Sequence, residues 1–112
     1  MSDTIREFLV QGSEPSPYKV VFKRNGTNLK ATCSCRAGVI GIVCKHRLAI
    51  LDDNSGDVVS ENIDQVAEVA AWAVGSSVGE AISELASLEA DKKSIENKIR
   101  RAKKLVAKAL ID

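Results

Sequence analysis

Three cysteines and one histidine are all the thiol and imidazole of this 112-residue chain, and the four fall within fourteen consecutive positions. They read Cys33-Ser34-Cys35, eight intervening residues, then Cys44-Lys45-His46. Three thiolates and one imidazole make a complete tetrahedral donor set for a zinc ion, which takes sulfur and nitrogen ligands and imposes no geometry of its own. With all four positions filled by protein, such an ion has none left for water or substrate, so the expected role is structural. The chain offers no second Cys or His for nucleophilic catalysis. Two blander readings compete. A redox pair at Cys33 and Cys35 would be strained by its one-residue spacer and leaves Cys44 unexplained, and the thiols could instead be inert core residues.

The spacing dictates the elements that must hold these donors. Residues i and i+2 of an extended segment point the same way, so Cys33 and Cys35 can clamp one side of an ion from the end of a strand. On a helix the same spacing diverges by roughly 200°. Cys44 is therefore expected just before a helix, with His46 in its first turn, where a thiolate also meets the positive end of the helix dipole. Arg36, Lys45 and Arg47 stand ready to offset the net negative charge of three thiolates on one divalent ion.

The flanking sequence supplies those elements. Phe8-Leu9-Val10 reads as a short strand that ends in a Gly12–Pro17 loop. Tyr18, Val20 and Phe22 alternate with Lys19, Val21 and Lys23, Asn25-Gly26 marks a turn, and Leu29, Ala31 and Cys33 alternate on the returning strand. This register sends Cys33 to the core and gathers Lys30 with Lys19 and Lys23 outside. Ala37–Val43, with its two glycines, is expected to be a tight loop rather than a helix. Leu48, Ala49 and Leu51 continue a helix from Cys44 to the turn formers Asp52–Asp57.

These residues resemble the SWIM zinc finger, whose pattern is Cys-x-Cys, a variable spacer and Cys-x-His, entered by a β-hairpin and left through a helix. Tyr18–Phe22, Cys33-Ser34-Cys35-Arg36 and Cys44-Lys45-His46-Arg47-Leu48-Ala49 stand where that family would have them. The resemblance covers about residues 8–51. It implies a zinc-stabilised ββα module with Cys33, Cys35, Cys44 and His46 as ligands of one structural zinc, and a role in binding DNA or other proteins. The functions of the larger proteins that carry such modules do not transfer, since this chain has no ATPase, nuclease or kinase segment.

Beyond the module the hydrophobic period changes to that of helices. Ile63, Val66, Ala67, Ala70 and Val74 share helical spacing, with Asn62 as cap and Gln65 three residues on, and Gly75 as stop. Ser77-Val78-Gly79-Glu80 has the capping-box form, and no proline or glycine follows Gly79. A long helix over 77–111 results, about 50 Å at 1.5 Å per residue. Leu85, Leu88, Lys92, Ile95, Ile99, Ala102, Val106 and Ala109 alternate three and four apart along it, as a coiled-coil seam requires, with Lys92 interrupting. The competing arrangement is an arm folded back on helix 62–74. The fold class is thus α+β: a zinc-stabilised module over 1–56 followed over 57–112 by a helical hairpin or coiled-coil arm.

Composition bounds what these parts can do. Hydrophobic residues make up 45% and aromatics 4%, enough for one modest core that calls for an additional stabiliser such as a metal. Residues 1–51 carry eight Lys/Arg against three Asp/Glu, residues 52–97 two against eleven, and residues 98–112 six against one. A basic, acidic, basic chain suits a phosphate-facing or self-pairing surface better than a uniformly cationic coat. Asp3, Arg6 and Glu7 interrupt the N-terminus where a signal peptide would be apolar, and no apolar run approaches a membrane span, so the expectation is a cytoplasmic protein without membrane contact.

Two functional readings follow. In the first, Lys19, Lys23 and Lys30, with Arg24 at the turn and Lys45 and Arg47 beside the metal, contact nucleic-acid phosphates, DNA before others, without base readout. The competing explanation of these lysines is a solvated strand face. In the second, the zinc module is a rigid head and the arm a docking or dimerising element. There the homodimer seam is Leu85, Leu88, Ile95, Ile99, Ala102 and Val106, and the acidic block pairs with a protein partner. An enzyme is not expected. Asp52, Asp53 and Asp57 could be imagined around magnesium, but they sit among Asn54, Ser55 and Gly56 in a solvated turn, and no small-molecule substrate is implied.

Overall fold

The structure is a computed structural model that describes residues 3–112; Met1 and Ser2, where the expected 1–56 module and the N-terminal segment begin, lie outside the described residues. Three antiparallel strands, β1 (Thr4–Val10), β2 (Tyr18–Asn25) and β3 (Asn28–Cys33), form one sheet in the order β1-β2-β3. Phe8 stands opposite Val20, Phe22 opposite Ala31, and Val20 opposite Cys33. Period-two alternation therefore puts Phe8, Val10, Val20, Phe22, Leu29 and Cys33 on one buried face. Phe8 and Phe22 meet edge to face at 6.0 Å between ring centroids, a favoured aromatic geometry. Gly26 makes the hairpin turn at φ +62°, a conformation that costs a side-chain-free residue nothing.

Helices close this face. α1 (Arg36–Val39) is a single turn, α2 (Lys45–Leu51) follows Cys44, and α3 (Val66–Ala73) is entered through a 3₁₀ turn at Ile63–Gln65. α1 corrects the expectation of a loop throughout Ala37–Val43: the Cys35 sulfur accepts the Gly38 N–H at 3.3 Å and caps one turn before the chain breaks at Gly41. On α2 the buried pair is His46 and Ile50, one helical turn apart, whereas Leu48, Ala49 and Leu51 are half-buried. α3 packs on α2 and buries Val66, Val69, Trp72 and Ala73. Ile63 and Val74, expected on its apolar stripe, are exposed. Ile63 lies in the 3₁₀ entry before the α-helix begins, and Val74 is the C-cap in extended backbone (φ −64°, ψ 126°), so neither continues the stripe that starts at Val66.

Residues 57–62, which begin at the end of the expected turn Asp52–Asp57, cover the free edge of β1. Val58 bridges Val10, Val59 N–H donates to the Leu9 carbonyl at 2.8 Å, Gln11 N–H to the Asp57 carbonyl at 2.8 Å, and the Asn62 amide to the Glu7 carbonyl at 2.8 Å. Unpaired strand groups that would otherwise template association are thereby satisfied.

The longest element is α4 (Ser77–Ile111), 35 residues. Its start corrects the capping box by one residue. Ser76, not Ser77, is the cap: its hydroxyl accepts the Gly79 N–H at 3.1 Å and donates to the Ala73 carbonyl at 2.6 Å. Gly79 permits this because a Cβ there would overlap the Ala73 carbonyl oxygen. The chain divides into two compact units, Met1–Gly79 and Glu80–Asp112. The division falls after α3 rather than at residue 56, because Val66, Val69, Trp72 and Ala73 belong to the same buried core as the sheet. No α4 residue is buried, and no helix among the described residues is long and apolar enough to cross a membrane.

Candidate metal centre

Each of the four donors is held by a different local device. Cys33 is the last residue of β3, on the core face. Ser34 is pinned to β2 twice, donating its N–H to the Lys19 carbonyl at 3.0 Å and accepting the Lys19 N–H on its hydroxyl at 2.9 Å. That double tie turns the chain so that Cys35 caps α1. Gly38 lets α1 lie against the strand end, since a Cβ there would overlap the Cys33 carbonyl. Arg47 closes the far side, donating from Nη1 to the Ala31 carbonyl at 3.2 Å and from Nη2 to the Ile42 carbonyl at 2.6 Å. Cys44 is thereby left at the N-cap of α2 with His46 in its first turn, as their spacing predicts.

The four donor atoms lie within 4.8 Å of one another, and all four residues are buried. Cys35 Sγ is 3.4 Å from Cys44 Sγ, and His46 Nδ1 is 3.5 Å from Cys44 Sγ and 3.8 Å from Cys33 Sγ. Two sulfurs bound to one tetrahedral zinc at 2.3 Å stand about 3.8 Å apart, so the cluster has the size of that ion's first coordination sphere. His46 presents Nδ1 to the cluster. Its Nε2 is buried without a hydrogen-bond partner, next to Gly12, with the Tyr18 ring 4.9 Å away. A metal on Nδ1 places the ring proton on Nε2.

The thiols are poised unequally. Burial pushes Cys33 up to about 12, reinforced by hydrogen bonds to the Cys35 and Cys44 side chains and by the charge of Cys44. Burial also opposes ionisation of Cys44, but the Arg47 N–H and hydrogen bonds from Cys35, Cys33 and His46 outweigh it and bring that thiol down to about 6. Cys44 is thus stabilised as a thiolate, whereas ionising Cys33 needs a cation beside it. The donor set, its spacing and its charge all fit one structural zinc ion held by Cys33, Cys35, Cys44 and His46.

The basic residues divide. Lys19, Lys23 and Lys30 share the outer face of the sheet, with Lys23 directly opposite Lys30. Lys19 lies 3.4 Å from Glu7 and Lys23 3.9 Å from Asp3. Arg24 does not join them. It sits at an inner-face position, its guanidinium 5.7 Å from the Trp72 ring, which Arg6 also approaches at 5.8 Å while bridging Glu68 at 2.8 Å. Arg47 is spent on the two carbonyls that brace the metal site, and Lys45 is exposed at the start of α2.

Two features escape a residue-by-residue reading. Asn25 and Asn28, flanking the hairpin turn, join Lys23, Lys30 and Asp3 around a shallow polar hollow of about 190 Å³; strand register combined with the Asn25-Gly26 turn would have found it. Val39, Ile40, Ile42 and Val43, between the two ligand pairs, are 56–73% exposed. Their apolar run is plain in the sequence, but its exposure depends on the ligands holding both ends of the loop.

Residues 8–53 match the family model of the SWIM zinc finger, a span that runs from β1 through α2. No curated protein and no solved structure matches the chain.

Proposed function

We propose that the zinc-binding module at residues 8–53, which matches the SWIM zinc finger model, is a non-enzymatic nucleic-acid-binding element that contacts duplex DNA through its phosphates. The observation that carries the reading is the Lys23–Lys30 pair. Like charges directly opposite on antiparallel strands destabilise the sheet, and here they border a hollow shared with the amides of Asn25 and Asn28 and with the Asp3 carboxylate, 3.9 Å from Lys23. A phosphate that displaced Asp3 from Lys23 would relieve the remaining repulsion and accept hydrogen bonds from both lysines and both amides. Lys19, farther along the same face, adds a second contact along a backbone. Arg24 and Arg47 drop out of the interface, because each is committed within the fold. Base readout is not part of the proposal: the contacts are point charges suited to phosphates.

The test is fluorescence anisotropy of the zinc-loaded chain with a labelled duplex. Lys23→Glu with Lys30→Glu should abolish binding, while Arg24→Gln should leave it within about twofold, the order of a weak exposed contact. Binding that survives the double reversal overturns the reading.

A second reading, a protein-interaction adaptor, is supported by the exposed apolar loop Val39–Val43. Apolar side chains clustered on a surface mark interaction sites more often than scattered ones do. Here Ile40→Ser with Ile42→Ser should leave DNA binding unchanged; a loss of DNA binding in that variant would place the loop in the DNA contact and count against the adaptor reading.

A further inference from the structure

α4 keeps a seven-residue apolar repeat exposed. Leu88, Ile95, Ile99 and Val106 are 50–59% accessible, although they line up at three- and four-residue spacing on one face. Long helices of this kind gain most of their stability from burying such a face. The charges at the positions flanking the stripe indicate what covers it: there Glu84, Glu89, Asp91 and Glu96 come before Lys98 and Lys103, while Lys92 lies in the stripe and Lys93 away from it.

We infer that α4 pairs antiparallel with α4 of a second copy of this chain. A parallel, in-register pair would set Glu84 against Glu89, Asp91 against Glu96 and Lys98 against Lys103 of the other copy, on both sides of the seam, so all three charged pairs repel and only Leu105 against Leu110 attracts. It would also stack Lys92 on Lys92 in the middle of the apolar face. Reversing one helix removes both problems. In the register that sets Ile95 against Ile99 at the centre, Leu88 meets Val106 and Lys92 meets Ala102, whose small side chain leaves the lysine a way out to solvent. Glu89 then faces Lys103 twice, once on each side of the two-fold axis. Glu96 and Lys98, at the axis, meet their own kind, and Glu84 comes level with Asp112, just past the helix end. The charge gradient along α4 thus selects direction, and the position of Ala102 selects register.

The inference is independent of the DNA reading and is tested without DNA, on the zinc-loaded full chain by sedimentation equilibrium from sub-micromolar to tens of micromolar. The expected mass at the upper end is twice the 12.0 kDa of the chain. Glu89→Lys should raise the dimer Kd about tenfold, since two attractive pairs become repulsive, and adding Lys103→Glu in the same chain should restore it. Both positions are exposed, so neither change threatens the helix. A parallel dimer would respond with the opposite sign: Glu89→Lys would face Glu84 and tighten it. A single-chain mass throughout the range, a tightened dimer, or a dimer indifferent to Glu89→Lys would each overturn the inference.

Discussion

At the residue scale, the three thiols of the metal centre are chemically different although they are covalently alike. Cys44 gains the Arg47 N–H and the start of α2, and ionises near 6; Cys33, at a strand end in the core, holds its proton up to about 12. Zinc must displace the protons its ligands carry, so affinity rises with pH. Across neutral pH, Cys33 always yields a proton on binding while Cys44 has already lost its own. Below about 6 Cys44 is protonated too, and each further fall in pH should then cost one more factor of ten in affinity than it does above. The sign follows from linkage: a thiol whose pKa is lowered from 9.0 favours the folded pocket above that value and loses this contribution as pH falls through 6. Zinc competition with a chromophoric chelator from pH 5 to 8 should show the break, and Cys44→Ser should abolish stoichiometric zinc binding. A straight line through the whole range would show that Cys44 is not the low-pKa ligand.

At the scale of elements, the sequence was legible wherever one residue type had one local use. Alternation from Tyr18 to Phe22 placed Cys33 in the core, and the two-residue spacing of Cys44 and His46 placed one before α2 and the other inside it. Legibility failed where a contact from elsewhere decides the outcome. Arg24 does stand at the hairpin turn, donating from Nε to the Gly26 carbonyl at 3.0 Å, and the same alternation that buries Val20 and Phe22 puts it on the inner face; what the sequence does not show is the Trp72 ring, 48 residues away, that its guanidinium approaches there. The stripe of α3 lost its two end residues, Ile63 to a 3₁₀ turn before the helix and Val74 to an extended C-cap, and Ser77 yielded its capping role to Ser76 because Gly79 must approach Ala73 closely. That last difference has a measurable consequence. Ser76 is buried and links the end of α3 to the first turn of α4. Ser76→Ala should destabilise the chain by about 1 kcal/mol, the usual cost of a lost N-cap. Ser77→Ala should be near neutral in the same denaturant titration. Equal effects would return the cap to Ser77.

At the scale of the whole molecule, a pI near 7.7 conceals separated charges, and the separation bears on what nucleic acid would feel. If Lys19, Lys23 and Lys30 alone meet phosphates, about three counterions are released, and the logarithm of the association constant should fall with the logarithm of salt at a slope of about −3. The acidic stretch 52–97 cannot add to that slope, since it carries eleven Asp/Glu against two Lys. The basic end of α4 can: Lys98, Arg100, Arg101, Lys103, Lys104 and Lys108 are all exposed. Participation of that end would steepen the slope to about −6 or beyond, and Lys104→Glu with Lys108→Glu, both off the seam that pairs two copies, would then bring it back toward −3. We expect the shallow slope and its indifference to the Lys104 and Lys108 changes, because the acidic residues earlier on the same helix repel the duplex along most of its length, whereas the sheet face has only Glu7 and Asp3 against its three lysines. A steep slope that those two reversals flatten would instead move the contact from the zinc module to the helix.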